Sequence, residues 1–365
     1  MKKIATITFH NSDNYGAIFQ TKALQVAIEN LGYETEIIDY ICRNKIEMYK
    51  VFNWDLKRSL IKNIFHLLNA PYKYIKKSKV SNFALEQCKI STRKYYSSDE
   101  MIELENEYSL VITGSDQVWN YINTKFDKVY FLDFIKNSNQ KMSYAPSFAL
   151  TEIEEEYKEE YKTLLEDIKY LSVREKEGEK ILNDFGLKAE VVLDPTLLLS
   201  KKDWNSIAET KPTKEKYILL YTLQNSRDIK DCAKKLSEET GLKVIKISSG
   251  IRDYLESFKL IIADPKEFIS LINNAEYVVT DSFHGVAFSI NLNKEFYFYR
   301  GKALKTHSRI DNLLRICQLE ERSIESTDVL SLPKIDYKKT NVLLDKERKK
   351  SLDFLSNSIK KSLGE

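Results

Sequence analysis

Four histidines stand in this chain of 365 residues, at positions 10, 66, 284 and 307, and His284 has the setting best suited to proton traffic. The segment around it reads EYVVTDSFHGVAFSIN. A β-branched run, Val278-Val279-Thr280, is followed by Asp281, Ser282, His284 and Gly285, and then by apolar Val286, Ala287, Phe288 and Ile290. That pattern predicts a strand delivering polar side chains to the start of a helix, with Gly285 letting the backbone come close to a ligand. An imidazole, with an ordinary pKa of about 6.5, can give or take a proton near neutral pH. The plainer alternative is a structural histidine. His10 and His66 are assigned to structure.

Three further segments carry chemistry-bearing residues. TGSDQVWN, residues 113–120, follows the apolar run Leu110-Val111-Ile112. Gly114 permits a tight exit, and Ser115, Asp116 and Gln117 then present hydrogen-bonding side chains, among which Asp116 can hold a sugar hydroxyl or orient a base. Its alternative is the N-cap of a short helix. Between Ile4–Phe9 and the helical stretch beginning at Ala17, the residues Asn14, Tyr15 and Gly16 offer backbone amides at a helix start, which attract anions; here the alternative is a simple turn. No GxGxxG fingerprint is present. Arg174 follows Leu171-Ser172-Val173, and Arg309 lies in KTHSRIDNLL with Lys305 and His307. A guanidinium at the end of an element can grip carboxylate or phosphate bidentately, or merely be solvated.

The elements that must position these groups alternate. Strand-like runs are expected at Ile4–Phe9, Thr35–Tyr40, Leu110–Thr113, Lys141–Tyr144, Tyr170–Val173 and Glu190–Leu193, with helices at Ala17–Leu31, closed by Gly32, and at Glu152–Glu166 and Glu175–Phe185. A polar stretch around Lys211, Pro212 and Thr213 reads as a linker. Beyond it strands at Tyr217–Leu223, Val244–Ile247, Tyr277–Thr280 and Glu295–Tyr299 alternate with helices at Ile229–Thr240, capped by Gly241, and at Pro265–Asn274 and Val286–Asn291. The expectation is an α/β protein of two Rossmann-like domains, 1–200 and 214–340, facing a cleft at the carboxyl ends of their strands. A C-terminal helix within 341–365 is expected to pack back on the first domain. Residues 41–100 break the alternation as a helical, aromatic and basic insertion.

Composition excludes several classes. A formal charge of +3 is too small for general nucleic-acid binding. The charge is uneven, however: residues 41–94 carry thirteen Lys and Arg against three acids. This insertion reads either as a solvated cationic face, or as a cytosolic membrane-surface patch or groove for an anionic acceptor. Cys42, Cys88, Cys232 and Cys317 lie far apart without metal-ligand spacing and are expected as reduced thiols of a cytoplasmic protein. The first apolar run stops at His10, too early for a signal peptide, and no stretch approaches the roughly 18 apolar residues of a membrane span.

Taken in order, NYGAIFQTKALQ, VITGSDQVWN, SYAPSFA, LSVREKEG, VVLDPTLLL, VVTDSFHGVAFSI and SRIDNLL resemble the polysaccharide pyruvyl transferase family over roughly residues 1–320. The resemblance implies a GT-B-like fold and transfer of the pyruvyl skeleton of phosphoenolpyruvate to sugar hydroxyls of a bacterial surface polysaccharide, forming a ketal. It matches His284 to the histidine of the strand-helix junction and Arg174 to an arginine of the first domain. Where family members carry Arg-Leu-His, this chain has Ser282-Phe283-His284, and Arg309 or Lys305 is expected to supply the absent charge. The expected roles are His284 as acid or phosphate partner, Asp116 as acceptor-orienting base, and Arg174 and Arg309 as anion clamps. Asn14, Tyr15, Gly16, Ser115, Ser282, Lys305 and His307 are expected around the substrate. The chemistry calls for no metal or redox cofactor. The expected partners are phosphoenolpyruvate and a glycan acceptor, lipid-linked if the basic insertion meets the inner membrane face, with no nucleic acid. The alternatives are a nucleotide-sugar glycosyltransferase of the same architecture and a non-catalytic glycan-binding protein.

Overall fold

The computed structural model describes residues 2–42, 59–209, 215–301, 308–325 and 332–365. Among these, 2–42, 81–199 and 346–365 form one compact unit, and 59–80, 215–301, 308–325 and 332–345, with 200–209, form a second. The linker expected around Lys211, Pro212 and Thr213 lies outside the described residues.

The first unit is built on β1 (Lys3–Ile7), β2 (Glu34–Tyr40), β3 (Ile90–Tyr95), β4 (Leu110–Thr113) and β5 (Lys141–Ser143), in the order β3-β2-β1-β4-β5 with every pair parallel. Parallel neighbours require crossovers, and α1 (Tyr15–Asn30) carries the chain from β1 to β2. Both faces of the sheet are covered. Ala5, Ile7 and Val111 belong to one hydrophobic cluster, and Ile4, Leu110 and Ile112 to another, as the alternation of side chains along a strand demands. The second cluster is completed by Leu355 and Ile359 of the C-terminal helix. The crossover from β2 to β3 contains α2 (Leu60–Gln87), a 28-residue helix with Pro71 inside it. Its residues 60–80 group with the second unit and the rest with the first.

The strands expected at Tyr170–Val173 and Glu190–Leu193 shorten to β6 (Ser172–Val173) and β7 (Glu190–Val191). These pair with each other in a separate two-stranded sheet. Four buried, free cysteines match the expectation of reduced thiols.

The second unit repeats the plan. Its strands β8 (Tyr217–Tyr221), β9 (Lys243–Ile247), β10 (Lys259–Ile261), β11 (Tyr277–Thr280), β12 (Glu295–Tyr299) and β13 (Ser323–Ile324) run in the order β10-β9-β8-β11-β12-β13, all parallel. The α/β class and the pair of Rossmann-like sheets are thus as the sequence predicts. The short outer strands β10 and β13 go beyond that expectation, because two or three residues show no periodicity.

Between β11 and β12 lies α3 (Phe283–Asn291), which begins only three residues after its strand ends. Gly285 makes that junction possible. A Cβ at 285 would lie 2.2 Å from Thr280 Oγ1 and under 3 Å from its Cβ and Cγ2, all part of a β-branched side chain that cannot swing clear. At Gly114 the nearest such contact is 3.2 Å. Gly285→Ala is therefore expected to destabilise the second unit by about 1–3 kcal/mol, and Gly114→Ala to cost the first less. Urea unfolding followed by far-UV circular dichroism checks this; a Gly285→Ala midpoint equal to wild type would refute it.

Candidate functional site

In a parallel sheet of this order the chain leaves the central pair of strands toward opposite sides, and a gap opens at their carboxyl ends. Of the sequence-predicted groups, Ser282 and His284 follow β11 at the β8/β11 reversal of the second unit, and Ser115 and Asp116 follow β4 at the β1/β4 reversal of the first.

In the second unit, Asp281 follows β11 directly and closes the gap. Its Oδ2 accepts from Thr222 Oγ1 at 2.7 Å and from the Gln224 amide at 3.1 Å, while Oδ1 accepts from the Leu223 amide at 2.7 Å. Ser282 is buried, donates its amide to Thr280 Oγ1 at 3.1 Å, and shares a hydroxyl hydrogen bond with Tyr221. It is the N-cap of α3 but makes no side-chain capping bond. His284, on the first turn, is half-buried and edge-on to Phe283, with ring centroids 5.1 Å apart. From α4 (Ser308–Cys317) the half-buried Arg309 places its guanidinium 5.8 Å from the Phe283 ring centroid. The cation expected to replace the arginine absent at 282 thus lies beside the residue that separates Ser282 from His284. Lys305 and His307 lie outside the described residues.

In the first unit the reversal is closed by backbone. The Gly114 amide donates to Ile7 O at 2.8 Å, and Thr8 Oγ1 donates to Ser115 O. Val118 and Trp119 anchor the TGSDQVWN segment in the core, Trp119 Nε1 reaching Tyr130 O at 3.0 Å. Asp116 is left half-buried at φ 93°, a conformation L residues rarely adopt. Ala145 (φ 55°) and Ala149 (φ 50°) are strained in the neighbouring loop, which is tied to the segment by the Ser147 amide and Asp116 O at 2.8 Å. Three residues of unfavourable φ thus gather after the carboxyl ends of β4 and β5. Asp116 is not an N-cap; Asn120 is, for the short helix Tyr121–Thr124.

Arg174, expected as an anion clamp, is buried in an ion-pair network. It is 4% exposed, with NH1 3.0 Å from Asp194 Oδ2 and 3.4 Å from Ser115 Oγ, and Nε 3.7 Å from Glu175 Oε2. Burial alone would lower its pKa; Asp194, Glu175 and Asp116 outweigh that and hold it above the ordinary value. Asp194 also accepts from Gln20 Nε2 and from the amide and hydroxyl of Thr196. Asn14 caps α1, its Oδ1 accepting from the Gly16 amide at 2.9 Å, while Tyr15 is 1% exposed. His10 binds Asp39 Oδ1 at 3.0 Å.

One network has no counterpart among the sequence-predicted groups. Lys246 in β9 is fully buried and donates to Asn225 Oδ1 (2.8 Å), Asp253 Oδ1 (2.8 Å) and Glu256 Oε2 (2.6 Å). Burial would raise the Asp253 carboxyl, but Lys246 and the Ser249 amide hold it below its usual range. The Asn225 amide donates to Thr222 Oγ1 at 2.9 Å, so the network runs on to Asp281. The signal for it is the lysine in Val244-Ile245-Lys246-Ile247: a charge in a two-sided apolar strand must be paired.

The Arg174 arrangement is testable. Asp194→Ala strands a buried guanidinium and is expected to cost about 3–5 kcal/mol, whereas Arg174→Met with Asp194→Leu should recover most of that loss. Urea midpoints decide; a cost below about 1 kcal/mol for Asp194→Ala would show that the pair is not what secures this corner.

Among curated proteins none matches the chain. Solved structures similar over most of both chains include Staphylococcus aureus MnaA with UDP (12% identity, 95% of this chain and 89% of that one, TM-score 0.49). Methanocaldococcus jannaschii UDP-GlcNAc 2-epimerase with UDP-GlcNAc and UDP is another (15%, 95% and 94%, 0.44), as is the Streptomyces sp. SF2575 glycosyltransferase SsfS6 (12%, 99% and 100%, 0.43). The model of the family "polysaccharide pyruvyl transferase" matches residues 14–301, a span that holds β4, the β8/β11 reversal, Asp116, Arg174 and His284, and the chain belongs to that family of transferase enzymes.

Proposed function

We propose that this transferase moves the pyruvyl group of phosphoenolpyruvate onto two hydroxyls of a sugar during assembly of a bacterial surface polysaccharide. The observation that carries the reading is the set Ser282-Phe283-His284 with Arg309 at the carboxyl end of β11. It brings together a helix N-terminus, an imidazole and a guanidinium, which suit a small phosphorylated carboxylic acid.

The reaction balances without a further reagent. Protonation of the methylene carbon of phosphoenolpyruvate makes a methyl group and an oxocarbenium-like centre at C2. One sugar hydroxyl adds there and loses its proton. The C2–O bond to phosphate then breaks, the phosphate leaving with the bonding pair, and a second hydroxyl closes the ketal and loses its proton. Of the two hydroxyl protons, one is matched by the proton taken up at carbon and the other leaves on phosphate. His284 fits the proton delivery, since an imidazole is half-protonated near neutral pH. Arg309 and the N-terminus of α3 fit the carboxylate and phosphate charges. In the first unit Asp116 is the group assigned to an acceptor hydroxyl. Arg174, buried against Asp194, acts here as the holder of the Ser115–Asp116 corner and not as a ligand clamp.

His284→Ala is expected to lower kcat with phosphoenolpyruvate by about 10²–10⁴-fold, and Arg309→Ala to weaken kcat/KM by about tenfold or more, with Arg309→Lys intermediate. Phosphate release with a panel of sugar acceptors, and mass spectrometry of the product, measure both. Both variants within twofold of wild type would remove the assignment, and turnover of a nucleotide sugar in place of phosphoenolpyruvate would replace the reaction.

A further inference from the structure

The segment that leaves β8 holds a side chain to which neither the fold nor the transfer reaction has given a role. Tyr221 of β8, Thr280 of β11 and Phe298 of β12 stand in register, so the segments leaving β8 and β12 flank the end of β11 on either side. Gln224 is three residues past Tyr221, and Gly301 is three residues past Phe298. The two meet: a Cβ at 301 would lie 2.6 Å from Gln224 Oε1 and 3.2 Å from its Nε2. Strands two places apart in a sheet are separated by about 9.5 Å. The contact therefore carries the Gln224 side chain across the end of β11, the strand that delivers Asp281, Ser282 and His284.

The backbone of Gln224 is fixed, its amide donating to Asp281 Oδ2 at 3.1 Å, and Gly301 leaves the space against which its carboxamide rests. The carboxamide nitrogen is not satisfied. Nε2 is buried and, among the described residues, has no hydrogen-bond partner. An amide N–H withdrawn from water without an acceptor destabilises a fold, and most buried polar atoms avoid that state. A position that needed only filling is better served by methionine, which has the same length and no comparable donor. An acceptor entering this corner would satisfy the amide. Gln224 as a residue is half-buried, and the terminal torsion of a glutamine is broad, so the carboxamide can turn while the backbone stays tied to Asp281. An oxyanion suits the corner: α3 begins here with its positive end, His284 stands on its first turn, and Arg309 lies beside Phe283. The Asp281 carboxylate is already taken up by three donors.

We propose that Gln224 is a phosphoenolpyruvate-binding residue of this enzyme: its carboxamide, lying across the end of β11, donates Nε2–H to an oxyanion oxygen of the substrate, carboxylate or phosphate, bound at the start of α3. The inference rests on the reaction assigned above and adds to it a contact that the sequence does not announce.

The test reads stability and substrate binding in the same full-length variants. Gln224→Met removes the unsatisfied amide at equal length, so its urea midpoint is expected at or above wild type. Its KM for phosphoenolpyruvate should nevertheless rise about tenfold with kcat little changed, an opposition that a residue serving only to pack would not show. Gln224→Glu, which sets a negative charge against the substrate, should raise KM further. Gly301→Ala, whose methyl group displaces the carboxamide, is expected to raise KM in the wild-type background and to add nothing in Gln224→Met. Binding without turnover is measured as the rise in urea midpoint with phosphoenolpyruvate, inorganic phosphate or pyruvate alone. A rise diminished in Gln224→Met with phosphate assigns the contact to the phosphate, and one diminished with pyruvate assigns it to the carboxylate; either upholds the proposal. A Gln224→Met KM within about twofold of wild type, a fall in its urea midpoint, or an equal rise with phosphoenolpyruvate in both proteins would overturn it. A wild-type midpoint that phosphoenolpyruvate leaves unmoved would defeat the reaction assigned above and this contact with it, whereas a wild-type rise undiminished in Gln224→Met would defeat the contact alone.

Discussion

Because the strand order reverses at β1/β4 and at β8/β11, the chain leaves each central pair in opposite directions, and among the described residues Ser115 and Asp116 in one unit and Asp281, Ser282 and His284 in the other stand at the gaps this leaves. The two units close their gaps by different means. Between β8 and β11 a carboxylate does it, with Asp281 accepting three hydrogen bonds from the segment after β8. Between β1 and β4 the backbone does it, Gly114 and Ser115 being drawn against Ile7 and Thr8. Beyond this carboxylate tie α3 begins, with His284 on its first turn at the end of the sheet. A backbone tie forces the next residue to turn sharply, and the cost appears as the strained φ of Asp116.

Buried charge secures both corners. Arg174 with Asp194 in the first unit, and Lys246 with Asp253 and Glu256 in the second, are ion pairs withdrawn from water, where removal of one partner is far more damaging than replacement of both. Each connects by a hydrogen bond to a residue at the reversal, Arg174 to Ser115 and Lys246, through Asn225 and Thr222, to Asp281. Such networks stiffen geometry more than they add stability. That suits a site whose first requirement is placement.

How much of this is legible in the sequence depends on whether a signal is periodic or merely spatial. The strands β1, β2, β4, β8, β9, β11 and β12 and the helices between them announce themselves through apolar spacing and caps, Gly241 at φ 70° among them. The edge strands β10 and β13 are too short to do so. His284 is conspicuous because polar residues clustered between an apolar strand and an apolar helix contribute little to packing. Arg174 is conspicuous as a residue but not in its burial: nothing in LSVREKEG tells that Asp194, twenty positions on, folds back against it. Asn14 suggests amides open to a ligand, yet its own side chain already fills that place. The basic insertion is legible in charge, but that Ile61 and Leu68 of its helix stay exposed requires the structure, since a sequence cannot tell which face of a helix is already occupied.

The reaction proposed for this enzyme brings together two unlike reactants, a small trianionic acid and neutral sugar hydroxyls, and the two reversals differ in the same sense. Around β11 stand an imidazole and a guanidinium, both against the Phe283 ring at the start of α3. Around β4 the group held in strain is a carboxylate, with a buried arginine behind it and a serine beside it. Donors and cations lower the energy of developing negative charge, whereas a carboxylate accepts the proton of a hydroxyl and repels an anion. Were the two sets mixed in one corner, Asp116 would pair with the cation that the proposed donor needs, as Asp194 pairs with Arg174. Keeping them on separate sheets lets each retain its own electrostatic character, and this separation follows from a fold that supplies two reversals instead of one.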